Sequence, residues 1–134
     1  MKVFKELTIV TPNKPGKLAQ ALRTLANAGV NLIAIDSSSG YDLNMVRLVT
    51  GEPAKARKAL EKLGYNVAES TVLGITISDK PGQLARIASL FSKAHVNIEY
   101  MYASAVAYDQ PAMIIVHVAD AEVAEKVLRA AKFV

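Results

Sequence analysis

Apolar and polar residues alternate from Val3 to Val10 around Leu7 and Ile9, and this period-two pattern predicts a strand with one buried face. Pro15 then opens a helix in which Leu18, Leu22 and Leu25, with neighbouring alanines, share one side. Ala28-Gly29 ends that helix, and the β-rich run VNLIAI reads as a second strand. SSSGYD is a turn and NMVRLVT a third strand; Glu52-Pro53 starts a second helix with Ala56, Ala59, Leu60 and Leu63 on its buried side. Gly64 closes it, and YNVAE is a fourth strand. The same order then recurs: VLGITIS, a helix over 81–94, VNIEYMYASAV, AMIIVHV, a helix over 120–131, and KFV.

The recurrence is also one of residues. Aligning 13–31 with 79–97 needs no gap, and eight of the 19 positions are identical: Lys14/Lys80, Pro15/Pro81, Gly16/Gly82, Leu18/Leu84, Ala19/Ala85, Ala28/Ala94, Val30/Val96 and Asn31/Asn97. Chance gives roughly one or two. Further on the match drifts by a residue or two, as YDLNMVRLV meets YDQPAMIIV. The chain is therefore a duplicated unit, with repeats expected over 1–70 and 71–134. Each has the order β-α-β-β-α-β, a split β-α-β unit that folds as a four-stranded antiparallel sheet with both helices on one face. The expected fold is α+β, two tandem ferredoxin-like units. Glu69-Ser70-Thr71 contains no Gly- or Pro-rich linker, so strand four of the first unit should run almost directly into strand one of the next.

Composition narrows the function. At 51% hydrophobic and 21% charged residues the chain is globular. No apolar run reaches the length of a membrane span, and MKVFKELTIV lacks the apolar centre of a signal peptide, so a cytoplasmic protein is expected. There is no cysteine and only His95 and His117, which leaves no basis for a metal site or cofactor. The net charge of +4 raises nucleic acid, but Lys55, Arg57, Lys58 and Lys62 are interleaved with Glu52 and Glu61, and Lys126, Arg129 and Lys132 with Glu122 and Glu125. Mixed signs on a helix mark a solvated face, and no nucleic-acid partner is expected. No nucleophile elbow, zinc-binding helix, Walker loop or dinucleotide fingerprint is present. His95 stands where the first repeat has Gly29, at a helix end, where capping suits it. The chain is read as a non-enzyme.

NKPGKL at 13–18 and DKPGQL at 79–84 carry the candidate chemistry. As helix initiation, Asn13 or Asp79 is a cap, proline is tolerated in the first turn, and glycine permits close approach of another group. As a binding site, Gly16, Lys17 and Leu18 present backbone N–H groups at a helix N-terminus, which suits a carboxylate. Asn31 and Asn97, alike at the start of strand two, each add an amide that both donates and accepts.

The [DN]-x-P-G-x-L turn, the [AG]-x-V-N-[IL] helix end and the β-α-β-β-α-β order, each seen twice, resemble the ACT domain, a small regulatory module of amino-acid metabolism. The resemblance covers essentially the whole chain. It implies a free amino acid bound between the turn of one unit and strand two of a neighbour. Its site residues would be Asn13, Lys14, Pro15, Gly16, Lys17 and Leu18 with Asn31, and Asp79, Lys80, Pro81, Gly82, Gln83 and Leu84 with Asn97. The family's polar side chain two residues before the turn is Thr11 in the first repeat but Ile77 in the second. Tyr100 and Tyr102, on one side of strand two, are packing residues or line a side-chain pocket. The resulting expectation is an amino-acid sensor, at least a homodimer with paired strand-two edges, acting on a metabolic enzyme in trans. The alternative is an assembly module without a ligand.

Overall fold

The computed structural model describes residues 1–78, 80–104 and 110–133. Its elements are β1 (Lys2–Pro12), α1 (Lys17–Asn27), β2 (Leu32–Ser39), β3 (Leu43–Thr50), α2 (Pro53–Lys62), β4 (Ala68–Ile77), α3 (Gln83–Lys93), β5 (Ile98–Ala103), β6 (Ala112–Val118) and α4 (Ala121–Ala130). Two compact units emerge: Lys5–Ser70, the first repeat, and Met1–Phe4 with Thr71–Val134, the second. Strand order is β2-β3-β1-β4 in the first and β1-β4-β6-β5 in the second. The fold is α+β, a tandem pair of βαββαβ-like units with antiparallel strands.

Met1–Phe4 thus groups with the second unit, apart from the rest of β1. Strand lengths explain this. β1 has 11 residues and β3 eight, and the β1–β3 ladder runs only from Glu6 to Pro12, leaving the start of β1 beyond it. KFV is correspondingly not a strand. Lys132, at φ +64, ends α4, and the Phe133 N–H donates to Leu128 O at 2.9 Å. The Phe133 ring packs on the second core beneath the Arg86 guanidinium, 4.7 Å from its centroid; Val134 lies outside the described residues. The junction is a single strand, since β4 passes through Glu69-Ser70-Thr71. β5 ends at Ala103, and the expected continuation through Ala105 and Val106 lies outside the described residues.

All four helices end in one motif. Gly29, Gly64, His95 and Lys132 take the left-handed position at φ +76, +101, +56 and +64. The next residue reaches back five positions: Val30 N–H to Leu25 O, Tyr65 to Leu60, Val96 to Phe91 and Phe133 to Leu128. This is the Schellman arrangement with an apolar residue folded against the last turn. It also delays β4. Tyr65 closes a helix instead of opening the expected strand, which starts at Ala68.

Each repeat has its own core. Leu7, Ile9, Val46 and Leu48 of the first meet Ala21, Leu25, Ala56 and Leu60 from its helices. Leu73, Ile75, Ile114 and Val116 of the second meet Ile87, Phe91, Ala124 and Leu128. Burial of each large aliphatic or aromatic side chain contributes about 1.5–3 kcal/mol. On the outer helix surfaces, Lys55–Glu52 (3.8 Å), Arg57–Glu61 (3.4 Å) and Arg129–Glu125 (3.3 Å) pair one turn apart, in line with a solvated mixed-charge face.

Candidate functional site

The two turns share a backbone. α1 and α3 begin two residues after Pro15 and Pro81, later than the prolines alone predict. The cap positions belong to Gly16 (φ +86) and Gly82 (φ +90), with no side-chain cap at either, so Asn13 does not cap α1 and Asp79 lies outside the described residues. Asn13 is held elsewhere: its N–H donates to Asp42 O at 2.8 Å and its side-chain amide approaches Tyr41 O at 3.5 Å. The glycines are required by conformation, since no heavy atom lies within 4 Å of a Cβ added at either.

Lys14 N–H donates to Pro12 O (2.9 Å), Lys17 to Lys14 O (3.3 Å) and Gln20 to Gly16 O (3.0 Å). The amides of Leu18 and Ala19 have no protein acceptor among the described residues, as expected of a first helical turn. Lys17 is therefore engaged within the turn, leaving Leu18 as the better-placed donor. In the second repeat Lys80 donates to Ser78 O (2.9 Å), Gln83 to Lys80 O (3.5 Å) and Arg86 to Gly82 O (2.9 Å). Pro12–Lys17 are exposed throughout, as are Lys80, Pro81, Gly82 and Leu84, while Leu18 and Gln83 are half-buried.

The asparagines are exposed, but at the far end. Asn31 O accepts from the Thr50 hydroxyl at 2.9 Å and Asn97 O from the Ala119 N–H at 3.1 Å. Their side-chain amides have no protein partner among the described residues. Along β3 the residue beside the turn is Asn44, opposite Thr11, and the residue opposite Leu32 is Thr50. Six residues of strand separate them, roughly 20 Å. Within one repeat, then, the turn and its asparagine cannot touch one small ligand.

Under the first turn lies a polar pair. Thr11 is fully buried, and its Oγ1 and the Asn44 Oδ1 across the ladder both lack a hydrogen-bond partner among the described residues. Asn44 also borders an open cavity of about 450 Å³ shared with Val10, Ser39, Leu43 and Met45. The corresponding pair in the second repeat is Ile77 opposite Ala112. Tyr100 stacks on His117, centroids 4.9 Å apart, which fits a packing role for that tyrosine.

The sequence matches the family described as an ACT domain pair over residues 1–133. The chain belongs to the ACT domain pair family. A crystal structure of protein BT0572 from Bacteroides thetaiotaomicron matches this ACT pair with a TM-score of 0.90 at 32% identity, covering 97% of this chain and 89% of that one. The ligand-free regulatory subunit of aspartate kinase from Thermus thermophilus shares the fold with a TM-score of 0.72 at 19% identity, covering 98% and 95%. The corresponding Thermus flavus subunit gives 0.64 at 21%, covering 96% and 92%. No curated protein matches.

Sequence comparison of the two ACT repeats did not single out Asn44. The drifting match set it beside Pro111, whereas the ladders pair Ile9 with Val46 and Ile75 with Ile114, which sets Asn44 beside Ala112. The signal was present in the alternation of core residues, a one-residue shift away.

Proposed function

We propose that this ACT pair is a non-enzymatic regulatory protein that binds a free L-amino acid between the NKPG turn of one chain and Asn31 of a second copy. Bound, it regulates an enzyme of amino-acid metabolism in trans. The observation that carries the reading is the separation of two exposed recognition elements, the turn and Asn31, at opposite ends of one repeat. β2 pairs with β3 alone among the described residues and is a free edge. A two-fold pairing of β2 edges reverses one strand against the other, bringing the start of one β2 towards the turn end of its partner. It would also cover an edge that is otherwise open to aggregation. The regulatory direction is drawn from the aspartate kinase subunits of like fold.

The test is a thermal-shift screen against the twenty amino acids, with light scattering to establish the dimer. A sensor working at micromolar to millimolar Kd should gain about 2.7 kcal/mol at 100 Kd, a rise of several degrees. Asn31→Ala should lose the rise while leaving the unliganded melting temperature nearly unchanged, because its side chain holds no other part of the fold. If no amino acid moves the transition, or Asn31→Ala unfolds the protein, this reading fails and a ligand-free assembly module takes its place.

A further inference from the structure

Between α1 and α2 the first repeat holds an open groove of about 520 Å³, floored by Ala28, Ala59 and Leu63 and flanked by Lys55, Lys58 and Lys62. The rest of its lining is uncharged. Steps of three and four residues put the three lysines on one flank of α2. The acids of that helix are committed away from Lys58 and Lys62: Glu61 lies 3.4 Å from Arg57, which also pairs with Glu69, and Glu52 lies 3.8 Å from Lys55. Lys55 is further engaged at the C-terminal end of α1, its Nζ 3.3 Å from where a Cβ on Gly29 would stand. It thereby complements a helix end that has no basic residue of its own. Lys58 and Lys62 are exposed and have no carboxylate partner among the described residues. α1, with the sequence KLAQALRTLAN, brings no acid to the groove. The second repeat makes the same groove without this charge. Ala124 and Leu128 match Ala56 and Leu60 as the buried pair, which sets Val123 at the place of Lys55 and Ala130 at that of Lys62. Its groove, about 460 Å³, is lined by Leu90, Ala94, Val127, Ala130 and Ala131, with Lys93 as the charged member. Two adjacent helices therefore make the groove, but they do not require the lysines.

We infer that the α1–α2 groove of the first repeat docks an acidic amphipathic helix of a protein partner. Apolar side chains of that helix fill the floor, and carboxylates one turn apart on its rim meet Lys58 and Lys62. Helices of 11 and 10 residues give a groove roughly 15 Å long, room for about two to three turns of a partner helix. A nucleic-acid backbone would satisfy the ammonium groups but leave the apolar floor unfilled. A second copy of the chain does not supply the helix either, because α1, α2 and α3 are net positive and α4 is neutral. The inference goes beyond amino-acid binding, since it uses neither the turn nor Asn31; that the partner is the regulated enzyme rests on the reading above.

The experiment is fluorescence anisotropy of the full chain with a labelled helical peptide that carries leucines along one face and glutamates elsewhere. The comparison probes are a peptide of the same composition with the leucines scrambled, one with lysine for every glutamate, and a single-stranded DNA oligonucleotide. The wild type should prefer the acidic amphipathic peptide to all three, and bind it less tightly as salt is raised. Lys58→Glu with Lys62→Glu should weaken binding at least about tenfold while melting with the wild type, and Lys58→Gln with Lys62→Gln should weaken it less, in the same direction. Lys93→Glu with Lys126→Glu, the same charge change on the second repeat, should leave it unchanged. Equal losses in the glutamate variants of the two repeats, or equal binding of the scrambled peptide or the oligonucleotide, reduce the effect to net charge and overturn the inference. A wild type that binds none of the probes, or prefers the lysine peptide, overturns it as well. A wild type that binds the acidic peptide but responds to no amino acid keeps the groove and removes the sensor; the opposite pair of results keeps the sensor and removes the groove.

Discussion

Gly74→Val should destabilise the protein by about 2–3 kcal/mol, although valine is among the best strand formers. Gly74 sits opposite Ile115 in β4, and a Cβ there would come 2.5 Å from Phe4 Cε2 and 2.9 Å from Met113 Sδ. The thioether can swing aside at small cost. The Phe4 ring is different, because it belongs to the four residues that join the second repeat through the start of β1. Moving it disturbs that strand. Urea unfolding measures the loss, and Phe4→Ala in the Gly74→Val background should recover part of it, a coupling that independent sites do not show. A stabilised Gly74→Val would mean that strand propensity outweighs the contact.

Deleting residues 1–4 should be costlier still, and local. The deletion removes Phe4 from Gly74, Met1 from the second core, and one of that unit's four strands. A loss of about 3 kcal/mol or more is expected, comparable to truncating a large core side chain. Hydrogen exchange should show α3 and β6 losing protection while α1 and β3 keep theirs. Had KFV formed the fourth strand of the second repeat, the same deletion would be nearly silent. Uniform loss across both repeats would contradict the division at Phe4.

The contrast shows what the sequence makes legible. The repeat, the helix faces around Leu25 and Phe91, and the strand alternation around Leu7 and Leu73 are local periodicities and survive into the structure. The destination of Met1–Phe4 does not follow from them, because alternation tells which face is buried and not which neighbour a strand joins. Gly16 was read as room for a ligand, while its positive φ is visible only once the chain reverses between β1 and α1. Asn13 was read as a cap, yet a contact 28 residues away at Tyr41 holds it. Thr11 stood out in the family pattern, but its partner Asn44 depends on ladder register that repeat alignment missed by one residue.

The central claim is that one site takes its turn from one chain and its asparagine from another. Subunit mixing tests it directly. Gly16→Val should lose binding, since a β-branched residue is strained at φ +86 and shifts the turn, and Asn31→Ala should lose it for want of the amide. Unfolded together and refolded as an equal mixture, the two variants give heterodimers in which one site is doubly altered and the other is built wholly from unaltered elements. Titration calorimetry with the amino acid that shifts the wild type should then find about a quarter of the wild-type capacity at wild-type affinity. A mixture that binds no more than either variant alone, although light scattering shows it dimeric, would contradict a site shared between chains.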